Sequence, residues 1–316
     1  LLSKETLLLL NNVMFTVAAA AVLLGTLYPL IVDALGLGKL SVGPPYFETI
    51  FLPLMLPMAF LTGIGPLVHW KRHGWQDLLG KLVLPFALAL AGGVFLLLWV
   101  NGMPFATGLG LALTLWVAFA SLLGVWERVR NKTHPFKALG NIPYGFWGMT
   151  LAHLGLAVFI AGVAVVKTYD VERDIKVAPG ESIAIGSYQF RFEGVRQIQG
   201  PNYTADRGEV RIFEDGKPVS VLYPEKRTYR VQTMPMTESG IDAGLFRDLY
   251  VALGEPLASG AWSLRVQVKP LIRWIWLGCL MMALGGALAA SDKRYRIQVR
   301  ESRALRDEAL AAGGTA

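Results

Sequence analysis

Apolar residues concentrate in six long runs that short polar stretches separate. The runs cover about residues 7–32, 47–68, 79–100, 107–126, 146–166 and 271–290. A helix of about 20 apolar residues crosses the roughly 30 Å hydrocarbon core of a bilayer. The pattern therefore predicts a polytopic α-helical membrane protein with six transmembrane helices in this chain.

The pattern changes its period between the fifth and sixth runs. In residues 167–269 apolar and polar positions alternate, as in 188–195 and 263–268, which is typical of strands with one buried face. Glu214, Asp215 and Gly216 separate two such stretches and form a typical hairpin turn. We therefore expect a small inserted β domain, either a barrel or a sandwich.

The predicted elements divide the chain into four parts. They are transmembrane helices 1–5 in residues 1–166, a β-rich domain in 167–269, transmembrane helix 6 in 270–290 and a charged tail in 291–316. Basic residues collect after the second run, after the fourth run and in the tail, for example Lys71, Arg128 and Arg294. Because loops rich in Lys and Arg stay in the cytoplasm, we expect both ends of this chain to be cytoplasmic and the β domain to be extracytoplasmic.

Composition agrees with a membrane protein. Of the 316 residues, 53% are hydrophobic and 17% are charged, whereas soluble domains contain about 25% charged residues. An ordinary soluble enzyme is thereby excluded. The net charge of +7 is explained by basic residues kept on the cytoplasmic side, so no nucleic-acid partner is expected. Cys279 is the single cysteine and lies in an apolar run, which indicates a buried packing residue.

His153 is the one ionisable side chain in the interior of a predicted span. Such groups are costly in lipid and are functional by default. Its helical face also contains Phe146, Thr150 and the small Ala157, so a flat macrocycle could approach. Three interpretations remain open from the residues alone: an axial ligand of haem iron oriented by Thr150, a hydrogen bond to a neighbouring helix, or a proton relay. A second axial ligand would be a Met or would come from outside these residues.

The other three histidines indicate weaker sites. His69 and His73 flank Lys71 and Arg72 in one basic turn, and His134 lies in another. None has an acidic or thiol residue at metal-ligand spacing. We expect them at the level of the lipid headgroups, where Lys71 and Arg72 could contact anionic membrane lipid. The chain has no Gly-rich phosphate loop, no paired intramembrane carboxylates and no Ser/His/Asp set, which argues against hydrolysis and nucleotide-driven transport.

Tryptophans and prolines in the apolar runs have structural explanations. Most of the nine Trp residues lie at the ends of the runs, as an interfacial aromatic belt requires. Pro29, Pro53, Pro57 and Pro85 lie inside runs and are expected to bend or locally unwind their helices. They also suggest a transporter or haem-export channel, but a transport path needs polar lining residues and the spans contain almost none.

Five strings along the chain are more specific than its composition. They are Ser3–Asn12, Gly65–Trp70, Gly148–Gly155, Arg247–Gly254 and Lys269–Gly278. In this order and spacing they resemble the C-terminal half of the CcmF-type cytochrome c haem lyases of bacterial cytochrome c maturation system I. The resemblance covers nearly the whole chain.

The resemblance implies a bacterial inner-membrane protein with the β domain in the periplasm. Proteins of this type attach haem to apocytochrome c, forming thioether bonds between the haem vinyl groups and the two cysteines of a CxxCH motif. A haem chaperone delivers periplasmic haem, and a thioreductase-like maturation subunit presents the reduced apocytochrome c. The family also holds a haem b in the membrane, ligated by one histidine from each half of the protein. His153 matches the second of these histidines, so the resemblance implies that it is an axial ligand of the haem iron.

The chain also departs from the family pattern. The tryptophan-rich WWD segment, its two flanking periplasmic histidines and the first transmembrane haem ligand are absent. We therefore expect this chain to be the C-terminal part of a longer protein, and to be inactive as a haem lyase without the upstream WWD-containing portion.

A scaffold without haem is the alternative function. Such a protein would dock cytochrome c maturation partners through its β domain, where Arg247–Tyr250 and Met234–Met236 could form the docking surface. For each of these residues a purely structural role is the competing interpretation.

Overall fold

The computed structural model describes residues 4–68, 75–231, 234–257 and 260–292. By its internal contacts the chain divides into two compact units. One contains Leu1–Ile160 together with Leu277–Ala316, and the other is Ala161–Trp276.

Seven α-helices lie in the described ranges. They are α1 (Lys4–Ala34), α2 (Pro44–Ile64), α3 (Trp75–Trp99), α4 (Phe105–Val129), α5 (Pro135–Gly140), α6 (Tyr144–Tyr169) and α7 (Ile272–Ala290), and a 3-10 turn at Gly65–Leu67 follows α2. Six of them, all but the short α5, are long and apolar enough to cross a membrane. The predicted set of six spanning helices is therefore confirmed. None of the four prolines interrupts its helix, so the local unwinding considered for them does not occur.

An aromatic cluster joins α2, α3 and α4. The indole Nε1–H of Trp116 donates to the carbonyl oxygen of Phe60 over 2.8 Å. The Trp116 ring stacks on the Phe60 ring at 5.2 Å and meets the Phe86 ring edge-on at 5.7 Å. Gly63 permits this approach, because a side chain there would collide with the indole. An ion pair between Lys81 and Glu127, 3.3 Å apart, adds a second link between α3 and α4.

Ten antiparallel strands form the β domain in the described ranges. They are β1 (Val171–Val177), β2 (Ser182–Ile185), β3 (Tyr188–Gln199), β4 (Tyr203–Glu214), β5 (Lys217–Leu222), β6 (Glu225–Tyr229), β7 (Met236–Glu238), β8 (Gly240–Ala243), β9 (Arg247–Pro256) and β10 (Trp262–Pro270). One sheet has the order β1-β10-β9-β8, and the other has the order β2-β3-β4-β6-β7 with β5 also paired to β4. Phe190 and Phe192 from one sheet meet Leu249 and Leu264 from the other in a common core. The predicted β domain is therefore a sandwich.

The hairpin between β4 and β5 has the turn that the sequence predicts. Asp215 and Gly216 have φ angles of 49° and 77°, and Glu214 pairs with Lys217 across them. Two successive positive φ angles are the signature of a type I′ turn, whose twist matches that of the flanking strands. The local sequence therefore determines this connection.

A buried carboxylate links β4 to β6. Glu225, whose side chain is 6% exposed, accepts hydrogen bonds from Arg207 at 2.6 Å and from Arg227 at 2.7 Å. Burial by itself would raise the pKa of Glu225, but the hydrogen bonds from Arg227 and Arg207 outweigh it and hold that pKa below its ordinary value. The carboxylate therefore stays ionised and bridges two guanidinium groups.

Candidate functional site

Helix α6 is positioned by close contact with α7. A Cβ atom at Gly155 would lie 2.8 Å from the carbonyl oxygen of Gly278, and one at Gly285 would lie 2.5 Å from that of Gly148. The two glycines of each helix are seven residues apart, so both face the same partner. We call these four residues the glycine seam. Small residues let membrane helices approach until their backbones touch, which fixes the rotation of α6 about its own axis.

His153 lies near the middle of α6, on the side away from α7. At about 100° per residue it is roughly 160° around the helix from Gly155. Ala157, one turn further along, packs in a buried cluster with Ala89, Trp116 and Val117. The histidine face of α6 is therefore directed toward the helices that the aromatic cluster joins.

A second contact sets the position of His153 along the axis of α4. The guanidinium carbon of Arg128 lies 3.5 Å above the centroid of the Phe146 ring. Because Phe146 meets α4 near the end of that helix and Ala157 packs in the cluster that contains Trp116 and Val117, α6 and α4 run antiparallel. His153 therefore lies at about the level of Ser121. Ser121 is 1% exposed, and its hydroxyl donates to the carbonyl oxygen of Val117 in the same helix over 2.7 Å.

The imidazole is half-buried, and its Nδ1 atom is buried. Thr150, expected to orient the ring, is 2% exposed and donates its hydroxyl proton to the carbonyl oxygen of Phe146 over 3.0 Å. The Thr150 hydroxyl proton therefore forms a hydrogen bond within α6. Among the residues that the structure describes, no three His, Cys, Asp or Glu side chains come together as a metal site would require.

The remaining candidates from the sequence have other positions. His69, Trp70, Lys71, Arg72 and His73 lie outside the described residues. His134 is exposed and precedes α5, where its carbonyl oxygen accepts the backbone N–H of Ala138 at 3.0 Å.

The prediction that Cys279 is buried is wrong, because its side chain is exposed. Its neighbour Gly278 belongs to the glycine seam and is buried. One residue further along the helix is turned by about 100° from that contact. Cys279 therefore lies on a face of α7 away from α6.

In the β domain, sequence reasoning considered Arg247–Tyr250 for docking and missed that it anchors α7. Asp248, 2% exposed, accepts hydrogen bonds from the Gly244 N–H at 3.0 Å, from Arg273 Nε at 2.9 Å and from the Tyr250 hydroxyl at 3.4 Å. Burial, and then the Asp248 carboxylate, raise the pKa of Tyr250, so its hydroxyl stays protonated as a donor. Arg247 pairs with Asp242 at 2.7 Å. These contacts favour a structural role, and no signal in the sequence identified it, because Asp248 and Arg273 lie 25 residues apart.

Comparison with known proteins identifies similar sequences over nearly the whole chain. A family profile described as the CcmF C-terminal beta-sandwich matches residues 168–270. The cytochrome c-type biogenesis protein CcmF of Pseudomonas aeruginosa is 47% identical over 302 residues, and that of Escherichia coli is 44% identical over 298. Each match covers 94% of this chain and 45% of the relative.

A solved structure titled "Cytochrome c Heme Lyase CcmF" has the same fold. It superposes with a TM-score of 0.74 at 27% sequence identity, covering 91% of this chain and 46% of that one. The chain therefore spans somewhat less than half the length of the relatives that it matches.

Proposed function

Because this chain belongs to the CcmF family of cytochrome c-type biogenesis proteins, we propose that it supplies one axial ligand, His153, to a haem b within the membrane part of a haem lyase. Its six apolar helices and its family make it a multi-pass inner-membrane protein. The observation on which the proposal rests is the position of His153, an imidazole near the middle of a spanning helix whose rotation the glycine seam fixes.

The residues around His153 fit a haem ligand. Histidine imidazole is a common protein ligand of haem iron, and His153 would supply it from this chain. Bound haem b would supply one-electron redox chemistry. The chain itself holds the imidazole in place, since Ala157 and Phe146 pack α6 against α4 on either side of it.

The rest of the reaction is assigned to other parts of the assembly. We propose that the upstream WWD-containing portion supplies the second axial ligand and the site where apocytochrome c thiols add to the haem vinyl groups. A haem chaperone and a thioreductase-like subunit would deliver the two substrates. By the positive-inside rule the turn after α4, with Arg130 and Lys132, lies in the cytoplasm and the β sandwich lies in the periplasm.

The test is the absorption spectrum of the full-length protein purified in detergent, oxidised and dithionite-reduced. We expect His153→Ala to lose the low-spin b-type bands while the amount of folded protein is unchanged. His134→Ala is the matched control, because this exposed histidine precedes a short helix outside the spans, and it should keep the spectrum.

A second variant separates ligation from packing. His153→Met should retain haem with shifted bands and a higher reduction potential, because a thioether replaces an imidazole on the iron. An unchanged spectrum in His153→Ala would contradict the assignment and favour the scaffold that binds no haem.

A further inference from the structure

The loop between β8 and β9 lies against the first turn of α7. The Leu271 N–H donates to the carbonyl oxygen of Phe246 over 2.8 Å. The Trp274 indole N–H donates to the carbonyl oxygen of Leu245 over 3.1 Å, and the Phe246 and Trp274 rings are 6.4 Å apart. The backbone of this loop is thereby held at the level where α7 begins.

The chain passes from the sheet to the helix without a linker. β10 ends at Pro270 and α7 begins at Ile272, with Leu271 alone between them. Leu271 has a φ angle of +54°, a left-handed conformation that is unfavourable for a non-glycine residue. Such strain persists only where surrounding contacts determine it, and here the hydrogen bond to Phe246 is one of them.

One carboxylate of this junction is buried, whereas the large apolar side chains beside it face outward. The Arg273 side chain reaches the buried carboxylate of Asp248. By contrast, Leu245 is 60% exposed and Phe246 is 65% exposed. Trp276, on α7 itself, is 70% exposed. A loop tip with two adjacent large apolar residues exposed to water is unfavourable, and the usual explanation is a surface that covers it.

The loop lies at the level where the spanning helix α7 begins, and this position indicates which surface covers Leu245 and Phe246. Helix α7 is apolar and long enough to cross the membrane from Ile272 onward. Trp274 therefore lies in the first turn of the span, and Trp276 lies about 3 Å further along the axis. Tryptophans at such positions mark the boundary between headgroups and acyl chains. Leu245 and Phe246 continue the same apolar surface at that level.

We propose that Leu245 and Phe246 form an anchoring loop that inserts into the lipid interface beside α7. The lipid interface, between the headgroups and the acyl chains, covers this surface. Transfer of side chains such as Phe, Leu and Trp from water to that interface is favourable. The loop, with Trp274 and Trp276, holds the β sandwich at the membrane surface. The proposal depends on α7 as a span and does not depend on haem ligation by His153.

The test uses an environment-sensitive fluorophore attached to Phe246→Cys in the full-length protein, in a Cys279→Ala background and in phosphatidylcholine nanodiscs. We expect quenching by bromine-labelled acyl chains and a loss of quenching by aqueous iodide. The control is Val221→Cys on β5, a residue that is 41% exposed on the other sheet. That label should respond to iodide and not to the brominated lipid.

Two outcomes would overturn the proposal. Equal iodide quenching at Phe246→Cys and Val221→Cys would show that the loop stays in water. Protection of the Phe246→Cys label from both quenchers would show that protein covers the loop instead of lipid. Leu245→Cys gives the same readout in the neighbouring position if Phe246→Cys does not fold.

Discussion

The buried carboxylate of Asp248 shows how one residue couples the sandwich to a membrane helix. Its side chain is 3% exposed, and Arg273 from the first turn of α7 supplies the neutralising charge. Arg265 and Asp174 form an ion pair of similar geometry, but their side chains are 52% and 57% exposed. Burial therefore distinguishes two ion pairs that would look alike in the sequence.

This difference gives a prediction for the two arginines. Arg273→Ala should lower the free energy of local unfolding at β9 by about 3 kcal/mol, because the carboxylate remains buried without its counter-charge. Arg265→Ala should lower that free energy much less, because water solvates the exposed partner Asp174. Hydrogen exchange of the β9 amides in the full-length protein measures both, and similar protection losses in the two variants would contradict the burial argument.

Among the helices, the contact of α6 with α7 decides where His153 points. The glycine seam leaves no space between the two backbones, so α6 cannot rotate without separating from α7. The imidazole is therefore oriented by glycines that lie on the opposite side of its own helix. Two adjacent glycines of α7 differ in this respect, since a Cβ atom at Gly285 would meet α6 while one at Gly286 would meet nothing within 4 Å.

The adjacent glycines provide a matched pair for mutation. Gly285→Ala should force α7 away from α6, lower the thermal stability and reduce the haem content of the full-length protein. Gly286→Ala should retain haem and gain up to about 1 kcal/mol of helix stability, because alanine restricts the unfolded chain and meets no neighbour. Thermal unfolding and the reduced absorption spectrum, measured for both variants, test this prediction. Equal haem loss in the two would show that helix approach does not position His153.

For the whole molecule, the distribution of basic residues predicts the orientation in the membrane. Single cysteines in a Cys279→Ala background test it, with Lys217→Cys in the β4–β5 hairpin and Lys132→Cys after α4, both exposed positions. A membrane-impermeant maleimide added to spheroplasts should label Lys217→Cys directly and Lys132→Cys only after permeabilisation. The reverse order of labelling would invert the proposed topology.

The sequence by itself determined the features that depend on local periodicity. Runs of apolar residues predicted six spanning helices, alternation predicted the β domain, and Glu214–Gly216 predicted a turn, because each signal is contained within a short segment. The short helix α5 was not predicted, because its six residues are too few to show a helical period. The five family strings predicted the family, and the isolation of His153 among apolar neighbours made it a candidate.

Only the tertiary structure decided which faces of these elements meet. The ring of Trp116 packs in the core of the helices because Gly63 on another helix makes room for it. Cys279 is exposed because its neighbour Gly278 occupies the contact with α6. Asp248 and Arg273 are 25 residues apart and pair only after β10 has joined β9. Such contacts depend on which surfaces approach closely in space, and periodicity along the chain does not contain that information.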